Sequence, residues 1–276
     1  MNYRVRALQP ADIPAAMRIK EAAGWNQTET DWKNLLRLAP ETCFGLECDG
    51  ALAATATSVC YGRRLAWIGM VLTDPAHRRR GCARRLAEHA IEAVTARGVD
   101  WIKLDATEMG APLYARLGFV AEGGVERWGR VASESTEGGE RLAWTGREAY
   151  PGDLRAFGAD RSELLDALAP LGMAASDGDG YGLARPGSRA VDWGPCVSTR
   201  AETAGKLLGW FLERIAGQPV CWDLLAANTE AVRLAREFGF APERRLVRMV
   251  LPGRTGAAPL EHDDSQVFAI AGFEYG

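Results

Sequence analysis

The sequence predicts a mixed α/β fold, a central sheet flanked by helices, with the plan used twice in tandem. Three observations carry this. Apolar spacing switches repeatedly between helical and strand periods through the first half. Asp49-Gly50 sits between two strand-like runs and reads as a tight hairpin turn. Leu113-Tyr114-Ala115-Arg116-Leu117-Gly118-Phe119 is echoed by Leu234-Ala235-Arg236-Glu237-Phe238-Gly239-Phe240, each after a strand-like run and a long helix.

In order, residues 3 to 8 read as a strand and 11 to 23 and 28 to 38 as helices, with Thr28 and Asp31 near a helix start. Strands are expected over 42 to 48 and 51 to 61, then over 65 to 72. An arginine-rich turn leads into a long amphipathic helix at 82 to 97 and a strand at 100 to 106. A short helix near 110 to 117 stops at Gly118, and a strand from Phe119 is expected to close the first unit near residue 131. Residues 133–140 carry no large apolar side chain and two adjacent glycines, the composition of an exposed connection, with a surface hairpin as the alternative. The expected division is 1–135 and 140–276. In the second part a helix at 199 to 215 and a strand at 220 to 225 precede Gly239-Phe240, repeating the earlier order.

Composition limits the function classes. With 47% hydrophobic and 25% charged residues among 276, the chain is globular rather than disordered or fibrous. No apolar run approaches the roughly 18 to 20 residues of a membrane span, and the start lacks a signal peptide's apolar stretch. The expectation is a cytoplasmic protein with no membrane partner. A net charge of −3 does not attract polyanions, so no nucleic-acid partner is expected. Six cysteines without CxxC pairing and three scattered histidines suggest reduced core thiols, no disulfide framework and no metal.

The most informative stretch is Thr73-Asp74-Pro75-Ala76-His77-Arg78-Arg79-Arg80-Gly81-Cys82-Ala83-Arg84-Arg85-Leu86. It leaves a strand, turns at a proline and enters a helix through a glycine. The first N–H groups of a helix lack intrahelical partners and carry its positive end, so residues 79 to 84 suit a pyrophosphate. Gly81 and Ala83 allow close approach, and the arginines add charge-assisted hydrogen bonds. A solvated charged face and a nucleic-acid patch are the competing readings. Only 4 of the 33 basic residues are lysine, so an arginine cluster by itself says less here.

Arg78-x-x-Gly81-x-Ala83, the preceding Asp74-Pro75, the following long helix and the later Tyr114-x-x-x-Gly118-Phe119 together resemble the GCN5-related N-acetyltransferase (GNAT) family over residues 3 to about 131. The resemblance implies a GNAT fold that holds acetyl-CoA at Val71, Leu72, Thr73, Arg78, Arg79, Arg80, Gly81, Cys82, Ala83 and Arg84. It implies a pantetheine arm paired with the backbone of Val71 and Thr73 between two parted strands. It makes Tyr114 the acid that protonates the departing thiolate, while a primary amine from a small molecule or peptide enters from the opposite side. A backbone N–H near Val71 would stabilise the developing oxyanion. No metal is implied. A non-catalytic acyl-CoA sensor or scaffold is the alternative.

The departures are equally specific. The asparagine that many members carry seven residues before the tyrosine is Thr107, and the position of the glutamate base of histone-type members is Trp67, so the base is unassigned. The second part has no matching loop, and Ala235 replaces the tyrosine, so that copy is expected not to bind coenzyme A. Trp25-Asn26-Gln27-Thr28 and Trp32 form an aromatic and polar cluster where the family's acceptor site is bordered, with Trp25, Asn26 and Trp32 as the candidate contacts and a hydrophobic staple as the alternative. Asp105 and Glu108 lie near the active end of their strand, each as a cap, a salt-bridge partner or a substrate contact rather than the base. The acceptor's identity and the oligomeric state stay open.

Overall fold

A computed structural model describes residues 2–132, 142–253 and 256–276. The first part runs β1 (Tyr3–Ala7), α1 (Ile13–Ala23), α2 (Glu29–Leu38), β2 (Cys43–Cys48), β3 (Ala51–Tyr61), β4 (Leu65–Thr73), α3 (Cys82–Ala96), β5 (Trp101–Thr107), α4 (Ala111–Arg116) and β6 (Val120–Arg130). The second runs α5 (Tyr150–Phe157), α6 (Ser162–Leu168), β7 (Met173–Asp177), β8 (Gly180–Arg185), β9 (Val191–Val197), α7 (Ala201–Arg214), β10 (Val220–Leu225), α8 (Thr229–Glu237), β11 (Ala241–Leu251) and β12 (Val267–Ala269). From α1 to β6 and from α5 to β11 the order of helices and strands is the same, which is the duplication the sequence predicts. The connection expected at 133–140 lies outside the described residues.

Local chemistry sets the boundaries. Thr28 caps α2: its hydroxyl oxygen accepts from the Asp31 N–H at 3.4 Å, and the Asp31 carboxylate accepts from the Thr28 N–H at 2.7 Å. Asp49 and Gly50 both take positive φ, 50° and 85°, as a hairpin of this kind requires.

The expectation that the first unit closes on itself near residue 131 is corrected by the sheet. The twelve strands of the described residues form one sheet in the order β1-β2-β3-β4-β5-β11-β6-β10-β9-β8-β7, with β12 added on β9. The two strands that follow the Gly-Phe junctions are exchanged. β11 pairs antiparallel with β5 of the first part, Leu246 opposite Thr107 through Leu251 opposite Ile102. β6 pairs antiparallel with β10 of the second, Leu225 opposite Val125 through Val220 opposite Arg130. β6 and β11 also pair with each other. Each strand has the residues to complete its own copy. With β11 between β5 and β6, and β6 between β11 and β10, neither part leaves an open edge there.

Three apolar layers cover the sheet. One lies under α3 and holds Phe44, Ile68, Leu86, Val94, Leu104 and Tyr114. Another lies under α7 around Trp193, Leu208, Phe211, Trp222 and Phe240. The largest is shared, joining Trp32, Leu35 and Trp67 of the first part to Phe157, Leu165 and Tyr275 of the second. No helix among the described residues is long and apolar enough to cross a membrane.

Candidate functional site

β4 and β5 are parallel neighbours for only three pairs, Leu65 with Trp101, Ala66 with Ile102 and Trp67 with Lys103. Beyond them the strands part. β3 continues to pair the other side of β4 through a bulge, Thr57 opposite Gly69 and then Thr55 opposite Leu72. Met70 in that bulge has φ 48°, a conformation that costs a side-chain-bearing residue roughly 1–3 kcal/mol, and the Thr55 hydroxyl holds it by donating to the Met70 carbonyl at 2.7 Å. From Ile68 to Thr73 the edge of β4 that faces β5 thus has no β5 partner, and this stretch leads toward the N-terminus of α3.

The arginine-rich turn closes that end. The Asp74 carboxylate accepts from the Ala76 N–H at 2.8 Å and fixes the turn. Arg79 and Gly81 take left-handed φ of 59° and 77°, and the first intrahelical bond of α3 runs from the Arg85 N–H to the Gly81 carbonyl at 3.0 Å. The N–H groups of Cys82, Ala83 and Arg84 therefore precede the helical ladder, and a Cβ built on Gly81 meets no atom within 4 Å. This is an open concavity of backbone donors at the positive end of a 15-residue helix, the arrangement an anion takes. Around it the Arg78 Nε reaches the Thr73 carbonyl at 3.4 Å, Arg80 contacts Tyr3, and Arg84 pairs with Glu88 at 2.8 Å. Cys82 is buried, its thiol directed at the His77 carbonyl, and Leu72 faces the core, whereas Val71, Thr73 and Ala83 are half-buried. A diphosphate ester with a narrow arm fits this cradle and gap.

Tyr114, on α4, is buried in the same layer as Cys82 and Leu86 and meets Phe119 edge-on with ring centroids 5.9 Å apart. Burial pushes its phenol well above the ordinary value, so it holds its proton at any working pH. Thr107, in the place of the expected asparagine, closes the turn into α4: its carbonyl and hydroxyl accept from the Gly110 N–H at 2.9 and 3.1 Å. Glu108 is exposed in that turn. Asp105 is a salt-bridge partner, bidentate to Arg248 of β11 at 2.9 and 3.0 Å.

On the opposite face the cluster expected to border an acceptor divides. Trp32 is 1% exposed and belongs to the shared core, so it does not line a cleft. Asn26 is a junction residue: its amide donates to the Ala190 carbonyl and Asp192 at 2.9 and 2.8 Å, and its oxygen accepts from the Arg189 and Ala190 N–H groups. Its hydrogen-bonding capacity is filled. Trp25 is half-buried, with the Arg244 guanidinium 5.9 Å from its ring centroid. Two polar groups here are hydrogen-bonded to each other at 2.8 Å, Gln27, a member of the expected cluster, and Glu274, which the sequence does not single out. Glu274 is 247 residues away in sequence and follows no motif.

The second part repeats the gap and fills it. β9 and β10 are parallel neighbours for three pairs, ending at Trp193 with Trp222. β12 then lies along β9, Val267 opposite Val197 and Ala269 opposite Cys196, and the Ile270 N–H donates to Asp223 of β10 at 3.0 Å. Asn228, seven residues before Ala235 as Thr107 is before Tyr114, donates to the carbonyls of Ser265 and Val267 at 3.0 and 2.9 Å. The chain's own tail occupies the slot, which agrees with the missing loop.

Comparison with known proteins matches this duplication. Residues 12–119 match the Acetyltransferase (GNAT) family and residues 152–269 match an Acetyltransferase (GNAT) domain, together about four-fifths of the chain. A relative in Bacillus subtilis (strain 168), the uncharacterized N-acetyltransferase YitH, is 26% identical over 251 residues, spanning 84% of this chain and 86% of its own. A candidate acetyltransferase of Pyrococcus horikoshii superposes with TM-score 0.85 at 22% identity, covering 99% of this chain and 96% of that one. A GCN5-related N-acetyltransferase of Sphaerobacter thermophilus gives 0.64 at 20% identity, over 90% and 95%. With two such domains in tandem along one sheet, the chain belongs to the GCN5-related N-acetyltransferase family and is an acetyltransferase.

Proposed function

We propose that the protein transfers the acetyl group of acetyl-CoA to a primary amine in a ternary complex, using one site per chain, in the first part (1–135), while the second (140–276) has lost its own. The observation that carries the reading is the coincidence, in the first part alone, of an open β4–β5 gap with a left-handed loop at a helix N-terminus. The backbone N–H groups of residues 79 to 84 and the Arg78 and Arg79 guanidinium groups would hold the pyrophosphate, and β4 from Val71 to Thr73 would pair the pantetheine arm. When bound, the cofactor supplies an activated acyl carbon and a thiolate leaving group. A backbone N–H near Val71 would offer a donor for charge that develops on the acyl oxygen. Tyr114 holds its proton until the sulfur needs it. An alkylammonium with a pKa near 10.4 costs roughly 4–5 kcal/mol to neutralise at pH 7, so a base on the acceptor side lowers the barrier directly.

Calorimetric titration with acetyl-CoA, followed by thiol release across a panel of amines, tests the reading. One equivalent bound per chain and amine-dependent thiol release are expected. Two equivalents, or binding without turnover on any amine, would overturn it.

A further inference from the structure

After filling the second gap, the tail crosses to the acceptor-side face of β4. The Phe273 carbonyl accepts from the Trp67 indole N–H at 3.1 Å, and the Tyr275 carbonyl accepts from the Tyr61 hydroxyl at 2.6 Å. Glu274, between them, lies against Gly69: a Cβ built on Gly69 would be 2.6 Å from the Glu274 Cα. Glycine is thus required for the tail to reach the strand. Gly69 borders the bulge, two residues from Val71, at the deep end of the gap. The Glu274 side chain is 3% exposed, and its one hydrogen bond among the described residues is the 2.8 Å contact from the Gln27 amide to Oε2. Gln27 Oε1 is buried without a hydrogen-bond partner, and so is the hydroxyl of Thr57, which stands opposite Gly69 on the neighbouring strand. Two buried oxygens without partners thus lie beside a carboxylate, each able to accept, and an ammonium group brings three donors.

We infer that Glu274, delivered by the second part, is the general base of the first part's reaction and receives the acceptor's ammonium group together with Gln27. The inference rests on the function proposed above. Glu274 takes one proton from the ammonium, leaving a neutral amine whose lone pair forms the C–N bond as the C–S bond breaks. Tyr114 gives its proton to the sulfur and recovers one from the new amide nitrogen. Glu274 releases its proton to solvent, so each turnover yields one amide, one thiol and one net proton. Its surroundings suit that cycle. Burial, the largest effect, pushes the carboxyl up to about 8 from an ordinary 4.5. Asp31 on α2 and Asp192 on β9 add to the rise, while Arg185 on β8 and the Gln27 amide oppose it. Arg185 is itself bound to Asp31 at 2.8 Å.

The test uses the full chain, saturating acetyl-CoA and propylamine as the acceptor probe. Glu274→Gln preserves shape and offers Gln27 Oε1 a donor. It is expected to bind acetyl-CoA with unchanged affinity and to lower kcat at pH 7 by about 10²-fold or more. It should also remove the limb of the wild-type profile that rises through about pH 8. Glu274→Asp keeps a carboxylate and should keep the limb at reduced kcat, which separates catalysis from packing. A second readout is independent of turnover. The folded carboxyl binds its proton more tightly than the unfolded one, so stability falls as pH rises from about 4.5 to 8, and Glu274→Gln should melt higher relative to wild type at pH 9 than at pH 5. A wild-type rate and profile in Glu274→Gln, with Tyr114→Phe impaired, would overturn the inference and leave the proposed function standing. Failure of the wild type itself to bind acetyl-CoA or acetylate propylamine would overturn the function and the inference with it.

Discussion

Tyr114 and Asp105 both have buried side chains near the same gap, and their partners separate their roles. Asp105 is held by two hydrogen bonds from Arg248, whose guanidinium also lies 4.6 Å from the Trp67 ring centroid. Burial raises the Asp105 carboxyl and the arginine opposes this, so the pair is a structural bridge between β5 and the exchanged β11. Tyr114 packs in the layer under α3 and meets Phe119 edge-on, and among the described residues its hydroxyl has no hydrogen-bond partner, so the acid role proposed for it is open to a direct test. Tyr114→Phe is expected to lower kcat by about 10²- to 10⁴-fold with acetyl-CoA affinity nearly unchanged, read from initial rates and calorimetry. Wild-type turnover in that variant would reduce Tyr114 to packing.

Among the elements, the loop into α3 and the plug formed by β12 are counterparts. Gly81→Glu places a side chain at φ 77° and a carboxylate in an anion cradle, so acetyl-CoA should no longer raise the melting temperature of that variant, whereas it should raise that of the wild type by mass action. A retained shift would move the cofactor to another place. Elements of this kind were legible in the sequence because their signals are local: the Asp49-Gly50 turn, the 3.6-residue period of α3, and the proline and glycine that flank the loop. β3, expected over 51 to 61, is found at Ala51–Tyr61. β12 was not legible. It has three residues, shows no period, and exists because β9 and β10 part and leave backbone groups to pair. Glu274 was hidden for the same reason, since nothing near it in sequence marks a residue whose partners are Gln27 and Gly69. The expected cleft residues Asn26 and Trp32 show the converse. An aromatic and polar cluster between two helices looks the same in sequence whether it faces a ligand or the other half of the molecule.

For the whole molecule, the Gly-Phe junctions announced two strands and said nothing of which sheet edge each would take. A strand's residues specify its faces and its length, and its partner is decided by long-range geometry. Separating residues 1–135 from the rest would bare an apolar face. The exchange gives a stronger reason for that part to fail alone, since β5 loses β11 and β6 loses both β10 and β11. Expressed alone, 1–135 should be insoluble or lack the cooperative melting transition of the full chain, and co-expression with 136–276 should restore a soluble 1:1 complex visible by size-exclusion chromatography. A soluble, fully active 1–135 would show that β6 folds back at home.

The exchange also sets an order of events at the ribosome. When β6 has emerged, the strand that must lie between it and β5 has yet to be translated, for β11 ends at Leu251. At roughly 5–20 residues per second, about 120 further residues keep the nascent first part waiting on the order of 6 to 24 seconds with unsatisfied edges on both β5 and β6. During that interval the chain is a client for chaperones and a target for proteases. Stalled nascent chains ending before residue 241 should be cleaved far faster than chains whose exit-tunnel offset exposes residue 251.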